Sequence, residues 1–564
     1  MRTRDFFAAI LAGILYLLAA VPALAQQTAS DFSNGGTWSV DANPVALNRT
    51  STCSIRVASG LIRTYYTQIG GTYPRPINSV FSYNESADGS VFGAPQGVYF
   101  AQGSPGGINP AVAQLHDGSF LMVYEVDPNG LGNPSGAKVL YALTSTDGAN
   151  FGVATQLPST ALDSNANGSG LLFQSVPNLV VAADGSVRVY YVAGGVSGIA
   201  SMRSTDGGKT WVPDPGYRIA GQNLGPGGGA IGPSDPTVLQ MPDGSYVMFL
   251  EMATYTSAGQ SNAYVINATS SDGLTFTPLT KNLFNTSSSV QIDPDVYQSA
   301  DGRWHTLFGQ TTPNSSSPPN LYHAVFSGTA GGPVTPQTGY WWNPSEGGRG
   351  FTIETQGVNT YISGFMYAAD GSPIWYLSAG VMVNSFTYYG TFVHYTGSAT
   401  LNGFGPSQAV GSVGNLSLLF NSNSSATMVF PGGTRTLQRY EFVPGGLTSG
   451  PAAGLPETGL WWNANEPGRG YFMEFQGDTL FFAAYMYDRN KQGTWYMSQG
   501  TMSSPTLYQG QLQSLSGGQT LTGAYKPASV TGNAGAVTLQ FTSTTTATMT
   551  YPDGAQVAIT RFRF

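Results

Sequence analysis

The sequence predicts an all-β protein built from a repeated hairpin-rich unit and then two copies of a smaller β module. Asp-Gly pairs recur between runs of β-branched and aromatic residues, and a second Gly-centred motif recurs later in each unit. A segment opening on two adjacent tryptophans is then written twice in the C-terminal part. Composition agrees, because only 9% of residues are charged while Gly, Ser, Thr, Asn and Tyr abound. That balance suits turn-rich β structure with uncharged, aromatic surfaces.

Residues 1–25 are expected to leave the mature chain. Arg2 and Arg4 precede the apolar run Phe6 to Ala20, and Ala23-Leu24-Ala25 forms a small-x-small cleavage site before Gln26. That is the pattern of a secretory signal peptide. No later stretch is long and apolar enough to span a membrane, so a secreted, soluble protein (periplasmic or extracellular) is expected. Cys53 is the only cysteine, which excludes an intramolecular disulfide. Its expected role is that of a buried small apolar residue. The net charge of -8, with 22 basic residues, argues against a nucleic-acid partner, which would need a basic face.

Residues 26–328 hold the repeat. LHDGSFLMVYE, AADGSVRVYYV, MPDGSYVMFLE and SADGRWHTLFG each set an Asp-Gly between two strand-like runs, the signature of a tight hairpin. Eight residues before each Asp, a first strand begins at Asn109, Val176, Asp235 or Asp293, and a proline follows each of them. A degenerate fifth unit, CSIRVASGLIRTYY, carries Ser59-Gly60 at the turn and Ser51 at the first-strand position. The later motif is complete in STDGGKTW, Ser204 to Trp211, and shorter in the segments starting at Ser86, Ser145 and Ser270.

STDGGKTW is an Asp box, and over roughly residues 40 to 328 the chain resembles the Asp-box β-propellers. That group includes sialidases and the five-bladed arabinan- and fructan-cleaving glycosidases. The resemblance implies a five-bladed β-propeller, each unit being one four-stranded blade. The boxes themselves read as structural, with Asp and Ser binding turn amides and the aromatic filling the space between strands. In the five-bladed glycosidases the general base is an Asp at the start of the first inner strand, a position that falls on Ser51 here. Activity must therefore be argued from the site and not from the fold.

First strands of such an architecture line a central channel, and the hairpin returns a residue sixteen positions on to the same face. The pairs are Ser51/Thr67, Asn109/Glu125, Val176/Val192, Asp235/Glu251 and Asp293/Gly309. Candidate catalytic residues are thus Glu125, Asp235, Glu251 and Asp293, with Asp295 as a ligand-binding candidate at the same mouth. Glycoside hydrolysis needs a proton donor with a raised pKa and a second carboxylate, and acids ringing a channel can supply both. For Asp235 and Asp293, a turn-capping role before proline is the equal alternative. His116, His305, His323 and His394 show no ligand spacing, so no transition metal is expected. Calcium on channel carbonyls and carboxylates stays open.

After a Gly/Pro/Thr-rich linker at 329–337, TGYWWNPSEGGRGF opens a module over 338–443 and TGLWWNANEPGRGY opens its copy over 458–564, with a second linker at 444–457. Glu354 matches Glu474, Trp375 matches Trp495, and Arg439 matches Arg561. Each module reads as seven or eight short strands, a small closed barrel or a sandwich. The Gly-x-Trp opening with an arginine in the final strand resembles the calycin barrels, in which that arginine packs across the tryptophan. The units also resemble Trp-Trp/Gly-Arg-Gly repeats at the C-termini of secreted bacterial proteins. Adjacent tryptophans must point to opposite faces of a strand, so of Trp341/Trp342 and of Trp461/Trp462 one ring each is core. The other either packs with the Gly-Arg-Gly turn, the favoured reading, or is a platform for sugar rings or for a partner surface. Glu346 with Arg349, and Glu466 with Arg469, are expected ion pairs.

The function expected from the sequence is a secreted glycan-directed protein, a glycoside hydrolase acting on polysaccharide or glycoconjugate at the channel with tandem binding modules. The alternative is a non-catalytic lectin or adhesin, or a surface scaffold.

Overall fold

The computed structural model describes residues 28–32, 36–45, 49–57, 59–68, 81–128, 136–164, 171–195, 198–223, 230–256, 259–279, 282–284, 290–311, 319–327, 334–466 and 468–564. Residues 1–25, expected to be a signal peptide, lie outside them, as do residues 329–333 of the expected linker. Nearly all the regular structure is β, and no described helix is long and apolar enough to cross a membrane.

One compact unit comprises Gln26–Val334 together with Val381–Tyr389. Its antiparallel sheets are ordered by five inner strands: Arg49–Arg56, Ile108–Gln114, Gln174–Val181, Ala230–Gln240 and Val290–Gln298. Each neighbours the next, and the last returns to the first, so the strands form a ring around an axis. The predicted hairpins are present. Gly118, Gly185, Gly244 and Gly302 all take φ between 81° and 85°, a left-handed conformation that glycine adopts without strain. The outer strand of the last sheet comes from the other end of the unit, where Thr37–Val40 pairs antiparallel with Asn320–Ser327. The outer edge of that sheet is thus closed by chain that carries no repeat motif.

The Ser-x-Asp-Gly motifs are turns held by side chains. Asp206 Oδ1 accepts from the amides of Lys209 (3.0 Å) and Thr210 (2.9 Å), and its Oδ2 accepts from Thr210 Oγ1 at 2.6 Å. Ser204 Oγ accepts from Gly208 N, and Trp211 Nε1 donates to the Gly208 carbonyl. The same pattern recurs at Asp88, Asp147 and Asp272. The Thr210 hydroxyl and amide draw the Asp206 carboxyl down to about 2. Asp206→Ala is expected to cost about 1–2 kcal/mol of stability, the worth of one or two net hydrogen bonds, and to leave any ligand binding at the axis unchanged. Denaturant titration beside a binding assay checks both halves.

The second unit holds Thr335–Gly380 and Gly390–Phe564. Each of its halves is a closed eight-stranded barrel, the first running from Gly339–Trp342 to Gly433–Arg439 and the second from Gly459–Trp462 to Gln556–Arg561. Closure pairs the opening strand with the last, Trp341 with Arg439 and Trp461 with Arg561. Trp341 and Trp461, 0% and 1% exposed, fill the barrel interiors, while Trp342 and Trp462 are half-buried. Arg439 lies 5.9 Å from the Trp341 ring centre. The Arg349–Glu346 and Arg469–Glu466 ion pairs form as the sequence predicts.

The barrels are apolar outside as well as inside, because they pack on each other. Tyr340, Phe365, Trp375, Phe472, Tyr485 and Trp495 join one buried cluster drawn from both copies. The contacts are reciprocal. Arg439 Nη2 meets Glu474 Oε1 at 2.6 Å, and Arg561 Nη2 meets Glu354 Oε1 at 2.5 Å. Trp375 Nε1 donates to the Met486 carbonyl, and Trp495 Nε1 to that of Met366. This is the two-fold geometry of an isologous dimer interface, made within one chain. It also explains the glycine before each aromatic pair. A Cβ on Gly339 would sit 2.3 Å from the Arg439 guanidinium and Glu474, and one on Gly459 would sit 2.5 Å from Arg561 and Glu354.

Candidate functional site

The axis of the strand ring is built from a repeated distortion. Ser51, Asn109, Val176, Asp235 and Asp293 have φ of 47° to 53°, a left-handed conformation that non-glycine residues rarely adopt. Each sits in a register break of its ladder, between Ser234 and Thr237 for Asp235 and between Ile292 and Asp295 for Asp293. The ladder therefore pairs Glu251 with Ser234, one residue earlier than the sixteen-residue spacing suggests. The bulged residue is turned towards the axis beside it. Backbone strain repeated at five equivalent places is a mark of functional or organising sites.

Three of the four candidate acids come together. Carboxylate oxygens of Asp235, Glu251 and Asp293 lie within 4.8 Å of one another. Asp235 and Asp293 are half-buried, and Glu251 is buried beside them. Ser234 Oγ donates to Asp235 Oδ2 at 2.5 Å, and Ser51 donates to Asp293 Oδ2 through both its amide (3.0 Å) and its hydroxyl (3.1 Å). Burial, then the neighbouring Glu251 charge, pushes the Asp235 carboxyl up to about 7. Burial and the Asp235 charge push Asp293 well above the usual carboxylate range. Like charges this close cannot all ionise together, so the group titrates as a unit and holds a proton near neutrality. The cavity at their side is small, about 30 Å³, and is lined by the five bulged residues. That is room for a water or two.

Glu125 stands apart from this trio. It is fully buried and ion-paired with Lys138, and its Oε2 accepts from Asn109 Nδ2 (2.8 Å), Ser175 Oγ (2.5 Å) and Val176 N (3.2 Å). It thereby ties one inner strand to the next, as Thr67 Oγ1 does by accepting from Asn109 N. Asp295 accepts from Ser54 N and Oγ at 3.0 and 2.6 Å. It lines a second, wider cavity of about 180 Å³, bounded also by Asn178, Gln240 and Asn384. Cys53 is half-buried beside Asp295, its thiol pushed up to about 12 chiefly by desolvation, which fits the inert role expected of it. Sequence reasoning missed Lys138 and Ser51 as partners of the acids. The proline after four of the five bulged residues was the available signal for the distortion.

No family model matches the chain, and no curated protein does. Solved structures with a similar strand arrangement include a protein of unknown function from Dyadobacter fermentans, 17% identical, TM-score 0.36, covering 62% of this chain and 100% of that one. An endo-arabinase from Bacteroides thetaiotaomicron is 15% identical, TM-score 0.37, covering 50% of this chain and 95% of that one. An α-L-arabinofuranosidase from Podospora anserina is 10% identical, TM-score 0.38, covering 52% and 98%. At these scores the likeness carries no argument about this chain's activity.

Proposed function

We propose that this protein is a secreted glycan-directed hydrolase whose N-terminal unit is a five-bladed propeller with its chemistry at the axis. The supporting observation is the cluster of Asp235, Glu251 and Asp293, three acids within 4.8 Å that hold a proton near pH 7. Hydrolysis of a glycosidic bond needs one carboxyl to protonate the leaving oxygen and another, ionised, to act as nucleophile or base. A coupled Asp235–Asp293 pair sharing one proton offers both states at once. Glu251, buried behind them, keeps that proton in place by repulsion. Glu125, held by Lys138, is assigned a positioning role between inner strands. In the paired barrels, Trp342 and Trp462 are the half-buried rings that can stack on a sugar face.

The test is turnover on a panel of polysaccharides and aryl glycosides. Release of reducing ends is expected, falling by about 10²- to 10⁴-fold in Asp235→Asn or Asp293→Asn with the fold intact. Retention on an insoluble glycan without release, unchanged in both variants, would replace the hydrolase with the lectin reading.

A further inference from the structure

The two barrels are related by a near two-fold, and at one place the two halves differ in a way that leaves a hole. On one side, the Tyr395 ring stacks on Trp375, with centroids 5.6 Å apart and planes 20° from parallel. The equivalent residues on the other side are Leu515 and Trp495, so the second ring is missing. On the first side, Arg469 Nη1 donates to the Thr400 carbonyl at 3.1 Å. On the other, the equivalent Arg349 is 4% exposed, and its Nη1 has no acceptor within hydrogen-bond distance among the described residues. Both losses fall on one cavity of about 190 Å³, lined by Trp342, Arg349, Trp495, Gln513, Leu515 and Tyr525 among others.

We infer that this cavity binds a small aromatic carboxylate, a single planar ring bearing one anionic group. The ring replaces the absent tyrosine against Trp495, and the carboxylate supplies the acceptor that Arg349 lacks. Volume fits, since a cavity of about 150 Å³ holds benzene. Charge fits as well. Glu346 accepts from both Arg349 and Arg435 Nε, so two guanidiniums face one carboxylate and the cluster retains a positive charge. A buried guanidinium N–H without a partner costs free energy that a bound oxyanion recovers through a charge-assisted bond. A free sugar fits less well, because its several hydroxyls would lie against mostly aromatic walls with few partners. This inference is independent of any hydrolysis at the propeller axis.

The experiment is titration of the full-length mature chain with benzoate, 4-hydroxycinnamate, benzyl alcohol and xylose, followed by tryptophan fluorescence and calorimetry. Saturable one-to-one binding of the two carboxylates is expected, with benzyl alcohol weaker by at least about tenfold for want of the charge-assisted bond. Leu515→Tyr rebuilds the stack seen on the other side and should abolish binding with an unchanged melting temperature. Leu515→Phe serves as a second filling variant if the tyrosine lowers stability. Absence of carboxylate binding, equal affinity for benzyl alcohol, preference for xylose, or undiminished binding in a folded filling variant would each overturn the assignment.

Discussion

Glu354→Ala is expected to destabilise the paired barrels by about 3–5 kcal/mol, the cost of stranding a buried charge. Glu354 and Arg561 are 2% and 4% exposed at the side chain, so neither can turn to water when its partner is removed, and Arg561 keeps as an ion pair the longer contact of its Nε with Glu457 Oε2 at 3.4 Å. The carboxylate also accepts from Leu460 N at 2.6 Å, and that amide would lose its acceptor too. Glu474→Ala should behave alike, since Glu474 binds Arg439 and accepts from Tyr340 N at 2.6 Å. Because each pair joins one barrel to the other, the loss should appear as a shift in the joint unfolding transition of 338–564 and not as the melting of one barrel alone. Replacing both members, as in Glu354→Leu with Arg561→Met, should recover much of the stability, because apolar residues of similar volume often match a buried ion pair. Urea titration of the four proteins decides it. An Ala variant within 1 kcal/mol of the parent would show that the pairs are solvated.

How far this architecture could be read from the sequence depended on the range of the interaction behind each signal. The Asp-Gly turns and Ser-x-Asp-Gly turns are local: Gly118 and Asp206 serve residues within a few positions of themselves, so their motifs stand complete in the chain. The barrel strands were legible too, although the near-continuous apolar run of TLFFAAYMY had a cause that periodicity could not reveal. One face fills the barrel and the other covers its twin. Partner choice was not legible. Glu354 and Arg439 lie in one copy, yet Glu354 pairs with Arg561 and Arg439 with Glu474 of the second copy, which duplicated sequences cannot express. Glu125 and Glu251 close nearly identical strand segments, LMVYE and VMFLE, yet Lys138 neutralises the first while Asp235 and Asp293 crowd the second. The edge strand Thr37–Val40 gave no warning, since it completes a distant sheet by backbone pairing alone.

Asp235→Asn is expected to reverse part of the pH dependence of stability. In the folded chain the Asp235 carboxyl keeps its proton up to about 7, against an ordinary value of 3.8. Between those values the folded state holds a proton that the unfolded state releases, so the wild type loses stability as pH rises through that window. A shift of this size corresponds to about 4 kcal/mol if fully expressed. The side chain keeps contact with water and shares its proton with Asp293, so an effect on the order of 2 kcal/mol is expected. Asparagine keeps the volume and removes the charge, so the variant should match the wild type at pH 4, exceed it at pH 8, and show a flatter profile between. Asp206 has the opposite sign. Its lowered pKa contributes stability that is present above the ordinary carboxylate range and lost as pH falls towards 2. Asp206→Asn should therefore leave the slope between pH 5 and 8 unchanged. Urea denaturation at pH 4, 6 and 8 separates the two residues. If Asp235→Asn keeps the wild-type slope, the proton does not reside on Asp235, and the acid role assigned to that residue falls with it.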